Sequence, residues 1–403
     1  MINVAVMGFG TVGSGVVEVL MGHEDAIAQK VSDRVNVKYI LDIKDLPEHL
    51  ADKLVRDFSV IENDPDVDIV VETMGGVGAA LDFTRRALMA GKSVVTSNKE
   101  VVAAHGYELT QLAKEKGVCY LFEASVGGGI PIIRPLSQCL AANDILELRG
   151  ILNGTTNYIL TRMIRAGLSF EDALAEAQQK GYAERDPSAD ILGHDACRKI
   201  CILSAIAFGR HIYPDQVPTE GITGITLADV DYAASAGKKI KLLGRAVRQQ
   251  DGKICACVEP HLVDDSNPLA GVEDVFNAIA VRGDAVGDVM FYGRGAGKLP
   301  TASAVAADVI DIAAHQGHRK VVSWAEGGDD TVCSTELLKS IWYVRSVAGE
   351  TALQSAVGNV KMLSNGSGEA GESACLTTCE MFRGELDSKL AGLDVRSVIR
   401  VLD

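Results

Sequence analysis

Residues 2–13 read Ile2-Asn3-Val4-Ala5-Val6-Met7-Gly8-Phe9-Gly10-Thr11-Val12-Gly13, and this stretch decides the fold. The first six residues form a short, mostly apolar run that predicts a buried strand, and residues 11–20 predict a helix. The glycines between them follow the G-x-G-x-x-G pattern. Gly8 permits the tight turn, Gly10 lets a pyrophosphate approach the backbone, and Gly13 lets helix and strand pack closely. With Phe9, Thr11 and Val12 they form a candidate dinucleotide loop, and the first turn of the helix offers free N–H groups to phosphate.

The same alternation continues outward. Strands are expected over 35–41, 68–74, 93–97 and 119–124, with helices over 79–91 and 100–117 between them. Strand and helix in turn predict an α/β fold with a doubly wound parallel sheet of Rossmann type. Asp42 lies just past the second strand, 29 residues after Gly13, where about 20 is usual. An acidic residue there bonds the ribose hydroxyls of NAD, whereas Lys44 close by would meet the 2′-phosphate of NADP. The sequence leaves both open.

The middle of the chain changes character. A strand over 145–152 precedes helices over 158–166, 170–180 and 196–208, the second opened by a Ser169/Asp172 capping pair. Strands over 240–247, 254–259, 278–281 and 288–292 complete an α+β unit. A glycine-rich loop, 293–300, leads to a helix over 301–315. From about 320 the chain reads strand, helix, two strands, helix, strand, with strands over 339–347, 359–364, 372–381 and 395–402 and a turn at 364–371.

The 403 residues suggest two or three domains. A net charge of −15 makes nucleic acid and anionic membranes unsuitable partners. No apolar run reaches the roughly 18 residues of a membrane span. The chain starts with a core strand, so no secretory signal is expected and a cytoplasmic protein is implied. Nine cysteines, without CxxC or zinc spacing, suit reduced buried thiols.

Chemistry-bearing residues cluster in three places. Ser97-Asn98-Lys99 ends a strand at the ligand-binding edge of the sheet. Glu123-Ala124-Ser125-Val126-Gly127-Gly128-Gly129-Ile130-Pro131 would bring carbonyls and the Glu123 carboxylate near a hard cation, or is a plain connecting turn. Residues 181–199, GYAERDPSADILGHDACRK, are the richest. Asp195 and Lys199, four apart, share one helix face. They make either a surface salt bridge or a lysine poised to move the proton that accompanies hydride transfer at a carbonyl. In the second case Glu184 and Asp190 would hold a substrate ammonium.

Together with Asn153-Gly154-Thr155-Thr156-Asn157-Tyr158-Ile159-Leu160 and with Gly295-Ala296-Gly297 followed by 300–305 (PTASAV), these segments resemble the homoserine dehydrogenase family over about residues 1–320. The resemblance implies reversible NAD(P)H-dependent reduction of L-aspartate 4-semialdehyde to L-homoserine, in threonine, methionine and isoleucine biosynthesis. Gly8 through Gly13 would hold the dinucleotide, and Thr73, Ser97 and Lys99 would lie near the nicotinamide. Gly295 and Gly297 would close over the cofactor. Gly154, Thr155, Tyr182, Glu184, Asp190 and Asp195 would line the amino-acid pocket. Lys199 looks like the catalytic lysine, with Lys99 its partner and Asp195 orienting it. Glu123 with backbone groups of Val126, Gly128 and Ile130 resembles a monovalent cation site, usually sodium.

The implied organisation is a Rossmann-type domain over 1–135 plus 295–318, a substrate and dimerisation domain over 136–294, and an ACT-like βαββαβ domain over 322–403. A homodimer or homotetramer is expected, with an amino-acid effector at the tail. The tail lacks the usual Asp-x-Pro-Gly-Val-like turn and carries Ala348-Gly349-Glu350 there, which puts threonine control in question. Two rivals remain. A phosphorylating semialdehyde dehydrogenase needs a nucleophilic cysteine, and Cys139, Cys197 and Cys201 fit that role poorly. A non-catalytic ligand sensor would not need Glu184, Asp190, Asp195, Lys99 and Lys199 together.

Overall fold

The computed structural model describes residues 1–315, 322–364 and 371–402. The last three residues of the expected 295–318 segment, most of the expected turn at 364–371 and residue 403 lie outside the described residues. Strands β1 (Ile2–Met7), β2 (Val35–Leu41), β3 (Leu54–Val55), β4 (Ile69–Glu72), β5 (Ser93–Thr96) and β6 (Tyr120–Leu121) form one sheet, ordered β3-β2-β1-β4-β5-β6. Every pairing in it is parallel. The order reverses between β1 and β4, and the turns after these two strands open the crevice where such sheets bind nucleotides.

Alternate residues of these strands serve opposite faces. Val4, Val6, Val71 and Val95 pack against the helices Thr11–Gly22 and Lys298–His315. Ala5, Met7, Val70 and Val94 pack against Gly78–Met89 and Lys99–Lys116. Burial on both faces explains why the strands read as unbroken apolar runs. The two-residue β3 was too short to show a period. The helix after the glycine-rich loop begins at Lys298 rather than 301, because Pro300 falls in its first turn, where an N–H has no intrahelical partner to lose.

The second sheet is built from β7 (Ile145–Ile151), β8 (Lys238–Arg248), β9 (Ile254–Asp264), β10 (Phe276–Gly283), β11 (Gly287–Arg294), β12 (Val332–Cys333), β13 (Trp342–Ser346), β14 (Val360–Leu363), β15 (Ser373–Thr377) and β16 (Val395–Leu402). Its order is β11-β10-β7-β8-β9-β16-β13-β15-β14, with β12 also beside β9. Helix His194–Phe208 lies across β7, β8 and β9 and against Lys99–Lys116 of the first unit. The last four strands, with helices Glu350–Val357 and Arg383–Leu390, run βαββαβ as expected. They are not a separate layer: β16 pairs parallel with β9, Arg400 opposite His261.

Two buried charge clusters reinforce that junction. Arg345 on β13 reaches Asp229 at 2.8 Å and Glu372 at 2.7 Å, and the Tyr343 hydroxyl donates to Asp229 at 3.0 Å. Arg400 donates to Glu259 at 2.6 Å while lying 4.4 Å from the Trp342 ring centre. The cysteine expectation needs correction. Pairing of β12 with β9 brings the Cα atoms of Cys255 and Cys333 to 5.0 Å, and these two form a disulfide. The other seven form no disulfide. Among the described residues no helix is long and apolar enough to cross a membrane.

Arg345→Ala would strand the fully buried Asp229 carboxylate, and breaking a buried pair from one side costs about 3–5 kcal/mol. Urea unfolding should show a loss of that size. A loss under about 1 kcal/mol would mean that water reaches Asp229.

Candidate active site

The site is assembled where the two units meet. β7 ends at Ile151, and Asn153 caps the helix Gly154–Ala166 by accepting from the Thr156 N–H at 2.9 Å. The other end of the same amide donates to Asp190 at 2.7 Å and to Asp195 Oδ2 at 2.8 Å. Asp195 stands in the first turn of His194–Phe208 and is 3% exposed. Lys199 Nζ, one turn on, donates to Asp195 Oδ2 at 2.7 Å and to the Leu152 carbonyl at 2.8 Å. From the first unit, Lys99 brings its Nζ to 2.7 Å from Asp195 Oδ1. Lys99 starts its own helix behind the Asn98 cap.

The three charges titrate differently. Burial works against charge on Asp195, but the two ammoniums outweigh it and hold the carboxyl well below the usual range. Lys199 lies below the ordinary lysine value. Burial is the main cause and Lys99 adds to it, with Asp195 offsetting part. Lys99 lies above its ordinary value, because the Asp195 contact exceeds its own burial. Lys199 is therefore the lysine that releases a proton more readily, and Lys99 the one that stays cationic. Burial raises the Asp190 carboxyl, against the bond from Asn153.

These groups line a cavity of about 350 Å³ together with Gly154, Thr155, Gly181, Tyr182, Asn277, Arg294, Gly295 and Gly297. The Thr155 hydroxyl donates to the Tyr182 carbonyl at 2.6 Å. Glu184 is exposed and outside this lining. Gly295 and Gly297 border this cavity rather than the nucleotide crevice. At Gly295 a side chain is excluded, since its Cβ would fall 1.9 Å from Asn277 Nδ2. No cysteine lines the cavity, and Cys197 turns its thiol to the Pro214 carbonyl at 3.5 Å.

The crevice at the glycine loop, about 500 Å³, is lined by Gly8, Phe9, Gly10, Asp42, Lys44, Arg56, Thr73 and Phe83 among others. Thr11, Val12 and Gly13 form the first turn of the adjoining helix, whose N-cap, Gly10, has no side-chain bond. A Cβ at Gly13 would lie 1.9 Å from the Gly8 carbonyl oxygen and 2.7 Å from Thr73 Oγ1. Thr73 Oγ1 donates to the carbonyls of Met7 and Gly8, each at 3.0 Å. The Asp42 carboxylate accepts from the N–H groups of Phe9 at 2.6 Å and Lys44 at 2.8 Å. These bonds outweigh burial and hold it below its ordinary range. Ser97 is half-buried beside the Asn98 cap and lines neither cavity.

At the glycine turn after β6 the Glu123 carboxylate is already used. Its oxygens accept from the N–H groups of Ile132, Ile133 and Arg134 at 2.6, 2.7 and 2.9 Å. No cluster of His, Cys, Asp or Glu among the described residues has metal-site geometry. Sequence reasoning also missed Asn153, Asn277 and Arg56. An Asn between a strand and a helix is an N-cap signal, so Asn153 was findable. Arg56 follows the two-residue β3 and Asn277 sits inside a strand, and neither carries a local signal.

The protein-family model described as "Homoserine dehydrogenase, NAD binding domain" matches residues 8–123, and that described as "Homoserine dehydrogenase" matches 131–310. A homoserine dehydrogenase of Bacillus subtilis is 43% identical over 317 residues, covering 77% of this chain and 72% of its own. The crystal structure of one from Thiobacillus denitrificans superposes with a TM-score of 0.92 at 36% identity, covering 100% of this chain and 98% of its own. A hyperthermophilic archaeal homoserine dehydrogenase in complex with NADPH superposes with a TM-score of 0.66 at 30% identity, covering 77% of this chain and 97% of its own.

Asn153→Ala removes a helix cap and two bonds to carboxylates. Stability should fall by about 2–4 kcal/mol in urea unfolding, and the Asp190 carboxyl, followed by ¹³C NMR, should titrate higher than in the parent protein. An unchanged Asp190 titration would contradict the bridge.

Proposed function

The chain belongs to the homoserine dehydrogenase family and interconverts L-aspartate 4-semialdehyde and L-homoserine with a nicotinamide dinucleotide, and from that premise we propose that Lys199 moves the proton of this reaction. The observation that carries the proposal is the Lys99–Asp195–Lys199 bridge inside the cavity between the two units. Lys199, eased toward its neutral form by burial, gives its proton to the aldehyde oxygen in reduction. It accepts the hydroxyl proton in oxidation. Lys99 keeps its charge and stabilises the oxygen as negative charge develops there. Asp195 holds both ammoniums in place. Asp190 takes the substrate ammonium, with Glu184 closing from outside, and the helix start at Gly154 and Thr155 faces the carboxylate. Fixing both ends of the amino acid sets the reacting carbon in place and supplies much of the rate.

The bound nicotinamide supplies or accepts the hydride. The uncapped N-terminus of Thr11–Gly22 and the glycine turn held by Thr73 fit its pyrophosphate. We favour NADP over NAD. Both Asp42 oxygens already accept backbone N–H groups, while Lys44 and Arg56 line the same crevice and suit a 2′-phosphate. We place the monovalent cation, such as sodium, at the backbone carbonyls of Val126, Gly128 and Ile130, beside the Glu123 carboxylate that three N–H groups hold. A homodimer or homotetramer, a cytoplasmic setting and an ACT-type effector site in the tail complete the proposal. The exposed edge strand β11, with Met290 and Tyr292 outward, supports association.

Two measurements test these roles. Followed at 340 nm with L-homoserine, Lys199→Ala should lower kcat by about 10²–10⁴-fold with NADPH affinity unchanged in a fluorescence titration. A variant within about threefold of the parent would pass the proton step to another group. Arg56→Ser should raise KM for NADP about tenfold and that for NAD little. Equal changes would remove Arg56 from 2′-phosphate recognition.

A further inference from the structure

Strand β4 reads Ile69-Val70-Val71-Glu72, three apolar residues and then a carboxylate buried as deeply as they are. Glu72 Oε1 accepts from the Met74 N–H at 2.8 Å, and Oε2 accepts from the Thr96 hydroxyl at 2.6 Å. Burial pushes the carboxyl up from its ordinary value, and these donors oppose that. An apolar side chain would fill the place without the cost of burying a charge. The reason for a carboxylate lies in what its two oxygens hold.

They hold the edge of the sheet from which Lys99 comes. Thr96 ends β5 opposite Glu72 in the parallel register. Its Oγ1, while donating to Glu72, accepts from the Asn98 N–H at 2.9 Å. The Asn98 side chain caps the next helix, accepting from the N–H groups of Glu100 and Val101 at 3.1 and 3.2 Å. Its Nδ2 donates to the Gly76 carbonyl at 2.6 Å. One circuit thus joins the turn after β4, the turn after β5 and the first turn of Lys99–Lys116. Glu72, Thr96 and Asn98 are all buried, so water competes little for these bonds. Lys99 follows Asn98 directly, and its Nζ crosses to Asp195 of the other unit at 2.7 Å. Misplacing such a contact by about 1 Å costs on the order of 100-fold in rate.

We propose that Glu72 is a positioning residue: through Thr96 and Asn98 it fixes where the Lys99 helix starts, and so holds the Lys99 ammonium against Asp195. The inference rests on the part given to Lys99 above. It also explains why an amide would not serve at position 72. Such a group would turn its NH₂ toward the Met74 N–H or toward the Thr96 hydroxyl. In the first case two donors face each other. In the second the hydroxyl, which already accepts from Asn98, loses the acceptor for its own proton.

Turnover of L-homoserine with NADP, measured with and without Lys99, tests this. Thr96→Val keeps the shape and removes the hydroxyl, and Glu72→Gln keeps the shape and removes one acceptor. Each should lower kcat about tenfold, with KM for NADP within about threefold of the parent. Thr96→Ser, which retains the hydroxyl, should keep kcat within about threefold. On a Lys99→Ala background, Thr96→Val should cost less than about twofold more, because the side chain it positions is gone. A merely structural role would lower kcat by the same factor on both backgrounds. That result, parental turnover in Glu72→Gln or Thr96→Val, or a Ser variant as poor as the Val variant would overturn the proposal. Should Thr96→Val not fold, Glu72→Gln carries the same comparison. Lys99→Ala alone separates the two readings. Parental turnover there would overturn both, whereas a large loss there beside an indifferent Thr96→Val would reject only the role of Glu72.

Discussion

A carboxylate that is 3% exposed joins the two halves of this molecule. Asp195 belongs to the second unit, and it holds Lys199 of its own helix and Lys99 from the nucleotide-binding unit, each at 2.7 Å. Desolvating three charges costs several kcal/mol per ion, repaid only when geometry and further hydrogen bonds are good. Asn153 and the Leu152 carbonyl supply those bonds. Because the Asp195 carboxyl is held below its ordinary range, the stability it contributes is present above the unfolded carboxyl value and is lost only as pH falls through the depressed one. The carboxylate side of the bridge therefore stays charged throughout the neutral range.

The arrangement also divides labour between two identical side chains. Lys199 is enclosed and Lys99 keeps an open flank, so burial lowers one while the shared carboxylate raises the other. A single lysine would have to be both a permanent cation and a proton carrier. Two lysines on one carboxylate separate those tasks, and the site works only when the two units are docked. Backbone contact enforces that docking: the Gly129 N–H donates to the Arg294 carbonyl at 3.1 Å, and a Cβ on Gly128 would strike the Gly295 carbonyl at 2.3 Å.

Much of this was legible in the sequence because local pattern and local chemistry coincide there. The glycine loop lies directly between a strand and a helix, and Asp195 and Lys199 are one helical turn apart. Residues that act across the fold left less trace. Arg56 reaches the nucleotide crevice through a strand of two residues, too short to show a period. The Glu123 carboxylate reads as a cation ligand until the chain turns and three N–H groups close on it. The nine cysteines have unremarkable spacing, yet parallel pairing of β12 with β9 sets Cys333 against Cys255, 78 residues away. Lys99 was found through its motif and not through its partner, because nothing within the first hundred residues announces Asp195.

The C-terminal unit bears on the same helix by a different route. β16 extends the sheet at β9, and helix His194–Phe208 lies on β7, β8 and β9. A shift of β16 along β9 would break the Arg400–Glu259 bond and carry a charge through a buried apolar layer, so rigid movement of the tail relative to β9 is costly. The Arg345–Asp229 cluster fixes the opposite end of the unit to the Leu227–Ser235 helix. These buried contacts tie the C-terminal unit to the sheet on which the helix carrying Lys199 lies.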